Sequence, residues 1–414
     1  MLKKLTQEFR FFAEHPLSMR TLLLTNLLYA LVMPIVELFV GAYIMRNSED
    51  ISLVVIFQLA VYTGIPLTFL INGYLLNHFP IARLYSLGML LSGVSMFAMM
   101  SLDNLDTYGV FFAGLIMGLS YGFFWANRDL LALNTTQDSN RNYYYGIETF
   151  FYTMTGIVIP LAAGAFIAAS EKNGWFGGHI NVAYHGLTIF VFVLSVFASI
   201  LVHRGQFQNP KKAPFLFFKF DRLWNKMLGL ASLKGVAQGY IVTAPTMLIL
   251  TLVGKEGALG LIQGVAAFLS AILLYVLGRV TGPQHRLLIY GIGCGLFVLG
   301  ALFNAGLYSA EGVILFMLCL LFARPLLDIA YFPIQLKVID VVAEKEGRNE
   351  FAYIFNHELG LYLGRLLGCG LFIVLARYVS EYAALRYALL VIASVHFMGF
   401  FAMKGIVRDL GKHT

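Results

Sequence analysis

Charge is scarce in this sequence: Asp, Glu, Lys and Arg make up 12% of 414 residues, against 59% that are hydrophobic. A chain of this length could not cover itself with so little polar surface in water. Cysteine is scarcer still. Cys294, Cys319 and Cys369 each lie inside an apolar run, which excludes a disulfide framework and offers no metal-ligand spacing. There is no Walker loop, no His-Glu-x-x-His pair, no nucleophile elbow and no stretch able to form a large soluble domain. An ATP-driven pump in this chain alone is thereby excluded, and neither an enzyme nor a cofactor or metal is expected.

What the sequence has is apolar length. Mean hydropathy is +0.76, and 36 Phe and 22 Tyr suit side chains that face lipid and headgroups. A spanning helix needs roughly 20 apolar residues. Runs of that size occupy approximately 20–45, 51–76, 83–102, 109–133, 143–169 and 182–203. A second set follows at approximately 227–253, 257–279, 286–308, 312–339, 351–376 and 382–403. The expected class is an all-α membrane protein of about twelve transmembrane helices.

The net charge of +7 comes from basic residues placed between the runs rather than along one face, so they read as topology signals and not as a nucleic-acid footprint. With the N-terminus inside, 19 of them, from Lys3 to Lys412, flank the cytoplasmic side, and only Arg46, Lys172, Lys255, Arg377 and Arg386 flank the other. Both termini are then cytoplasmic. The longest basic connection divides the chain into a six-helix bundle over 1–204, a linker over 205–226 and a second six-helix bundle over 227–414. The linker's aromatic-basic stretch from Phe215 to Trp224 reads as side chains resting at the interface, with an anionic-lipid or partner contact as the alternative. The first run is long enough to span, so no cleaved signal peptide is read. Before it, Leu2, Leu5, Phe9 and Phe12 recur at helical spacing, as in a short surface helix over 2–15; a solvated lead-in is the alternative.

The halves look related. Asn72 to Phe79 leave the second run and precede Arg83, as Leu273 to Val280 leave the eighth and precede Arg286. Arg141-Asn142 precedes run five, as Arg348-Asn349 precedes run eleven. Two sequential six-helix repeats place a substrate site between them near the bilayer midplane. Here the chain resembles the major facilitator superfamily. Of its Gly-x-x-x-Asp-Arg-x-Gly-Arg-type loop signature, Gly73 and a trailing basic residue, Arg83, survive; Asn77, followed by His78, replaces the aspartate, and Pro80 stands where the second glycine would be. Gly114, Gly118, Gly122, Trp125 and Arg141 are similar to its fourth-helix pattern, and Gly156 to Gly164 around Pro160 to a degenerate exporter motif. The sequence is also similar to a poorly characterised bacterial branch of such transporters, which implies a multi-pass protein of the inner or plasma membrane but supplies no substrate.

Ionisable groups inside spans cost roughly 2.5–3.5 kcal/mol each and need a reason. Glu37 follows Pro34, with Asn26 and Tyr29 further in and no basic residue within a helical turn; it is a candidate proton carrier, or else a glutamate at the outer interface or paired with another helix. Arg324 and Asp328 stand four residues apart beside Pro325, as an anion site or a structural ion pair. The resemblance implies that helices one, four, seven and ten line the cavity. That makes Lys234 and Gln238 candidate contacts, together with Trp125 and Arg128, although Lys234 could snorkel and Arg128 could serve a cytoplasmic gate. Adjacent Arg128 and Asp129 are expected to find different partners. Glu148, His357, Glu358 and Arg365 lie on helices five and eleven, which in the family usually pack against the opposite half, so interdomain gating pairs are expected; His357 could instead be a packing residue. Gly291, Gly293, Gly295 and Gly300 should mark close helix contacts.

The function expected is a secondary active transporter, monomeric, moving a small organic, anionic or amphipathic solute by alternating access, coupled to protons, with export favoured by Pro160 and its neighbours. A transporter-like receptor or assembly subunit without turnover, and a lipid flippase on the same scaffold, are the alternatives.

Overall fold

The computed structural model describes residues 12–411 except 103, 137, 210–213, 215, 281–282 and 349. Most of the expected surface helix over 2–15 therefore falls outside the described residues, as do the side chains of Arg141 and Arg279.

In lipid every backbone polar group must pair within the protein, so apolar runs of this length close into helices. The first six are α1 (Leu17–Asn47), α2 (Ser52–Leu75), α3 (Ile81–Met100), α4 (Thr107–Thr135), α5 (Asp138–Lys172) and α6 (Asn181–Val202). The seventh span is divided into α7a (Arg222–Ile241) and α7b (Ala244–Leu252). Then come α8 (Glu256–Val280), α9 (Arg286–Leu307), α10 (Ala310–Glu346), α11 (Glu350–Tyr378) and α12 (Glu381–Leu410). The described residues thus hold 12 helical spans long and apolar enough to cross a membrane. Starts are set by side-chain caps: Asp106 accepts from the Gly109 amide (3.0 Å), Asp221 from Leu223 (2.7 Å) and Ser380 from Ala383 (3.1 Å). The long α10 stops at Gly347, whose φ of +61° is the left-handed stop that glycine takes without strain.

Packing repeats with a period of six helices. In the first half α1 packs on α5 and α6, α2 on α4, and α3 on α4 and α6. In the second, α7 packs on α11 and α12, α8 on α10, and α9 on α10 and α12. The halves meet through α2 with α11 and α5 with α8, pairs that also exchange under this repeat. At α5–α8 the approach is close: a Cβ on Gly164 would stand 2.8 Å from the Glu256 carbonyl oxygen and 3.0 Å from the Gly260 Cα. Gly293 and Gly300 likewise press on α10, whereas Gly295 meets nothing within 4 Å and has no packing role here.

Twelve spans in sequence put both ends of the helical body and the connection between the halves at one end, the linker end. The helix ends place that connection at 203–221, shorter than the expected 205–226. It is tied to both halves. The Asn209 amide donates to the Leu76 and Phe79 carbonyls and accepts from the Ile81 amide, closing the α2–α3 loop. Phe217 and Phe220 lie under Arg348 at 4.4 and 5.5 Å, holding the α10–α11 loop. Gly73 lies within α2 and Asn77 and Arg83 around the loop that Asn209 closes; Asn77 and Arg83 are exposed.

Candidate functional site

Two prolines shape the centre. Proline has no N–H, so the carbonyl four residues before it loses its helical donor. Pro245 strips the Ile241 carbonyl in this way, at the division between α7a and α7b. The freed oxygen accepts from Arg324 Nη2 at 2.6 Å. Pro325 strips the Leu321 carbonyl, which accepts from the Ser270 hydroxyl of α8 at 3.4 Å. The backbone itself therefore anchors the guanidinium.

Three adjoining cavities of about 290, 230 and 250 Å³ surround this point. Val242 lines all three; Arg324 lines the first and second, Glu37 the first and third, and Gln238 the second and third. The first lies between the halves, with Pro160 of α5 and Gln263 of α8 on its wall. The third carries Trp125, Tyr62 and Arg365. Helices α2, α5, α8, α9, α11 and α12 thus contribute to the lining besides α1, α4, α7 and α10, a correction to the four-helix expectation.

Glu37 is solvent-accessible within the cavities and has neither a hydrogen bond nor an ion pair among the described residues. A pair with another helix, one of the alternatives, does not form among the described residues. The charge that acts on it across the first cavity is that of Arg324. Arg324 in turn has the Ile241 carbonyl as its hydrogen-bond partner and no ion pair among the described residues. The expected Arg324–Asp328 pair does not form. Asp328 pairs with Lys234 at 2.8 Å, and the Lys234 ammonium sits 4.0 Å over both the Tyr331 and Phe332 rings. Sequence proximity along one helix lost to a cation that has nowhere else to go: Lys234 is 8% exposed and does not snorkel.

The first half keeps its own network apart from the cavities. Arg128 donates to Glu148 (2.8 Å) and to Asp129 (2.6 Å), so the two neighbours pair with each other instead of only finding different partners. Asn26 donates to Glu148 (2.6 Å) and to the Tyr144 hydroxyl (3.0 Å), and accepts from Tyr85. Tyr29 is buried against Phe124 and shares a hydrogen bond with Ser120 (3.0 Å). Asn26, Tyr29 and Glu148 therefore face the interior of one bundle, and Glu148 makes no interdomain pair with the charges of α11. Among those charges, His357 bonds the Tyr331 hydroxyl at 2.7 Å within its own half, and Glu358 pairs with Arg365. Arg365 does reach across: its guanidinium lies 4.6 Å from the Tyr62 ring of α2, while its Nε donates to Gln238 (3.0 Å).

Ion pairs join the halves at the end opposite the linker. Arg46 of α1 holds Glu256 of α8 bidentately at 2.6 and 2.8 Å, with the Tyr184 hydroxyl donating to the same carboxylate at 2.7 Å. Lys255 pairs with Glu171 (2.6 Å), and Arg377 of α11 pairs with Asp50 (3.0 Å). Burial pushes the Asp50 carboxyl up, but hydrogen bonds from Ser52 and the Arg377 guanidinium outweigh it and hold the group below its ordinary value.

Twelve spans, a six-helix repeat and a charged centre between halves agree with sequence comparison: residues 21–368 match the sequence profile of the Major Facilitator Superfamily. The chain belongs to that superfamily. It is therefore a multi-pass membrane protein and a secondary transporter. An uncharacterised protein of Bacillus subtilis, YqgE, is 21% identical over 386 residues, covering 92% of this chain and 87% of its own. Among solved structures, the peptide transporter POT in complex with sulfate superposes with a TM-score of 0.70 at 12% identity, covering 96% of each chain. The nucleoside transporter NupG gives 0.66 at 12% identity, over 94% of this chain and 99% of its own. A bacterial homologue of the iron transporter ferroportin, in an inward-facing state, gives 0.61 at 16% identity, over 92% and 98%. These likenesses establish the superfamily fold.

Proposed function

We propose that this superfamily member carries a small amphipathic organic anion and couples its movement to protons. The observation that carries the reading is that Arg324 and Glu37 line one cavity between the halves while neither is ion-paired among the described residues. A guanidinium held by a single backbone carbonyl keeps most of its donor fork free for a carboxylate or phosphate. An acid without a fixed partner, reached by solvent through the cavity, is free to take and release a proton. Apolar walls from Leu38, Met317 and Leu320 suit the hydrocarbon part of such a solute.

The linker end faces the cytoplasm in this reading, so the ion pairs Arg46–Glu256, Lys255–Glu171 and Arg377–Asp50 close the outer side, and the halves rock about α2–α11 and α5–α8. We assign export as the direction, on the Gly156–Gly164 pattern around Pro160. The test is uptake of labelled organic anions into inverted vesicles containing wild type or Arg324→Lys. Wild type should accumulate at least one of them. The lysine variant should fold normally yet bind it about one to two decades more weakly, since a point charge cannot replace the bidentate fork. Unchanged uptake by Arg324→Lys would remove Arg324 from the site, and binding without flux would make the protein a receptor.

A further inference from the structure

The second cavity lies wholly within the C-terminal half, between α7, α9, α10 and α12. His396 of α12 and Tyr290 of α9 stand on its wall beside Arg324 and the Lys234–Asp328 pair. His396 is 2% exposed, and its Nδ1 lies 3.2 Å from the Leu233 carbonyl oxygen. A carbonyl can only accept, so Nδ1 carries a proton, and in the neutral ring Nε2 is then an acceptor. That nitrogen is buried and has no hydrogen-bond partner among the described residues. The buried Tyr290 hydroxyl has no nitrogen or oxygen partner among the described residues either; it lies beside the weakly bonding Cys294 thiol and against Gly399 of α12. Buried polar atoms are ordinarily satisfied, and two orphans on one cavity wall mark a place where a ligand supplies the missing partner.

The geometry points to a specificity subsite: the substrate carries a hydroxyl that donates to His396 Nε2 and is within reach of the Tyr290 hydroxyl, while its anionic group sits on Arg324. The inference rests on the anion reading given above and narrows it to hydroxylated organic anions. Charge decides between a hydroxyl and an ammonium. Lys234 and Arg324 put two cations on this wall, and Asp328, the one carboxylate there among the described residues, is already engaged by Lys234 at 2.8 Å. An ammonium would meet a net positive field; a neutral O–H would not. Phe297 and Leu327 provide the apolar surface for the spacer between the two groups. Discrimination follows because an analogue lacking the hydroxyl leaves Nε2 unpaired.

Calorimetric titration of the purified full-length protein tests this with matched pairs that differ by one hydroxyl: phenylacetate and 4-hydroxyphenylacetate, and hexanoate and 6-hydroxyhexanoate. In wild type the hydroxylated member of at least one pair should bind roughly tenfold tighter. His396→Leu should bring that ratio close to one. Tyr290→Phe, which removes a single oxygen whose neighbour is the Cys294 thiol and so keeps the fold, should reduce it partway. Arg324→Lys should weaken both members and leave the ratio standing. A ratio unchanged in both subsite variants overturns the subsite, as does a wild type that prefers no hydroxylated member or binds none of the probes. A ratio that collapses in the subsite variants while Arg324→Lys changes nothing supports the subsite and instead overturns the anion reading of Arg324.

Discussion

At the scale of single residues, two exposures govern what the buried charges will tolerate. The Lys234 side chain is 10% exposed and that of Asp328 48%. Removing Asp328 strands an ammonium in a nearly dry site; removing Lys234 leaves a carboxylate that water still reaches. Asp328→Ala should therefore lower the melting temperature and yield more than Lys234→Ala does, and equal losses in a thermal-shift comparison would contradict the pairing. That Glu37, Arg324, Lys234 and Asp328 were candidates was legible in the sequence, because a charge inside an apolar run needs an explanation. Their partners were not. Four residues along one helix suggested Arg324 with Asp328, but the pairing depended on which cation had no route to water, a fact of packing between α7 and α10. The orphan nitrogen of His396 was hidden for the same reason: its significance lies in the Leu233 carbonyl that fixes its tautomer.

At the scale of helices, the apolar runs fixed the number and order of spans to within a few residues, since lipid leaves the backbone no alternative to the helix. The division of α7 was missed, although Pro245 announces it. A proline frees the carbonyl four residues earlier, so Ile241 could have been marked as an acceptor inside the bundle before any contact was known. Pro245→Ala supplies the missing N–H to that carbonyl and competes with Arg324 for it. The variant should be at least as stable as wild type, yet bind organic anions less tightly, because Arg324 loses the anchor that orients its fork. Thermal shift and calorimetry on the same preparation check both halves of the statement. Lowered stability with unchanged affinity would mean that the carbonyl does not position the guanidinium.

At the scale of the whole molecule, the six-helix repeat was legible from paired loop residues, while the interdomain ion pairs were not, because they join residues such as Arg46 and Glu256 that are 210 positions apart. Glu256 is 2% exposed and holds Arg46 bidentately, so the closed end depends on it. Glu256→Gln should loosen that end. Thr246, buried on α7b against Gly41 of the helix that carries Arg46, gives the readout: Thr246→Cys should react faster with an impermeant maleimide added to intact cells in the Glu256→Gln background. An equal rate would show that this ion pair does not gate access. The Arg377–Asp50 pair is a poor candidate for a proton switch. Its carboxyl is held below the usual carboxylate range, so its contribution to stability persists above that range and is lost only as pH falls through the lowered value. The proposed proton coupling therefore rests on Glu37, the acid on the cavity wall that has neither a hydrogen bond nor an ion pair among the described residues. The most direct measurement is therefore made on Glu37→Gln in proteoliposomes, following one transported anion both as accumulation driven by a pH gradient and as exchange at equal pH. The account predicts that accumulation is abolished while exchange continues close to the wild-type rate. Accumulation by the glutamine variant to the wild-type level would contradict it.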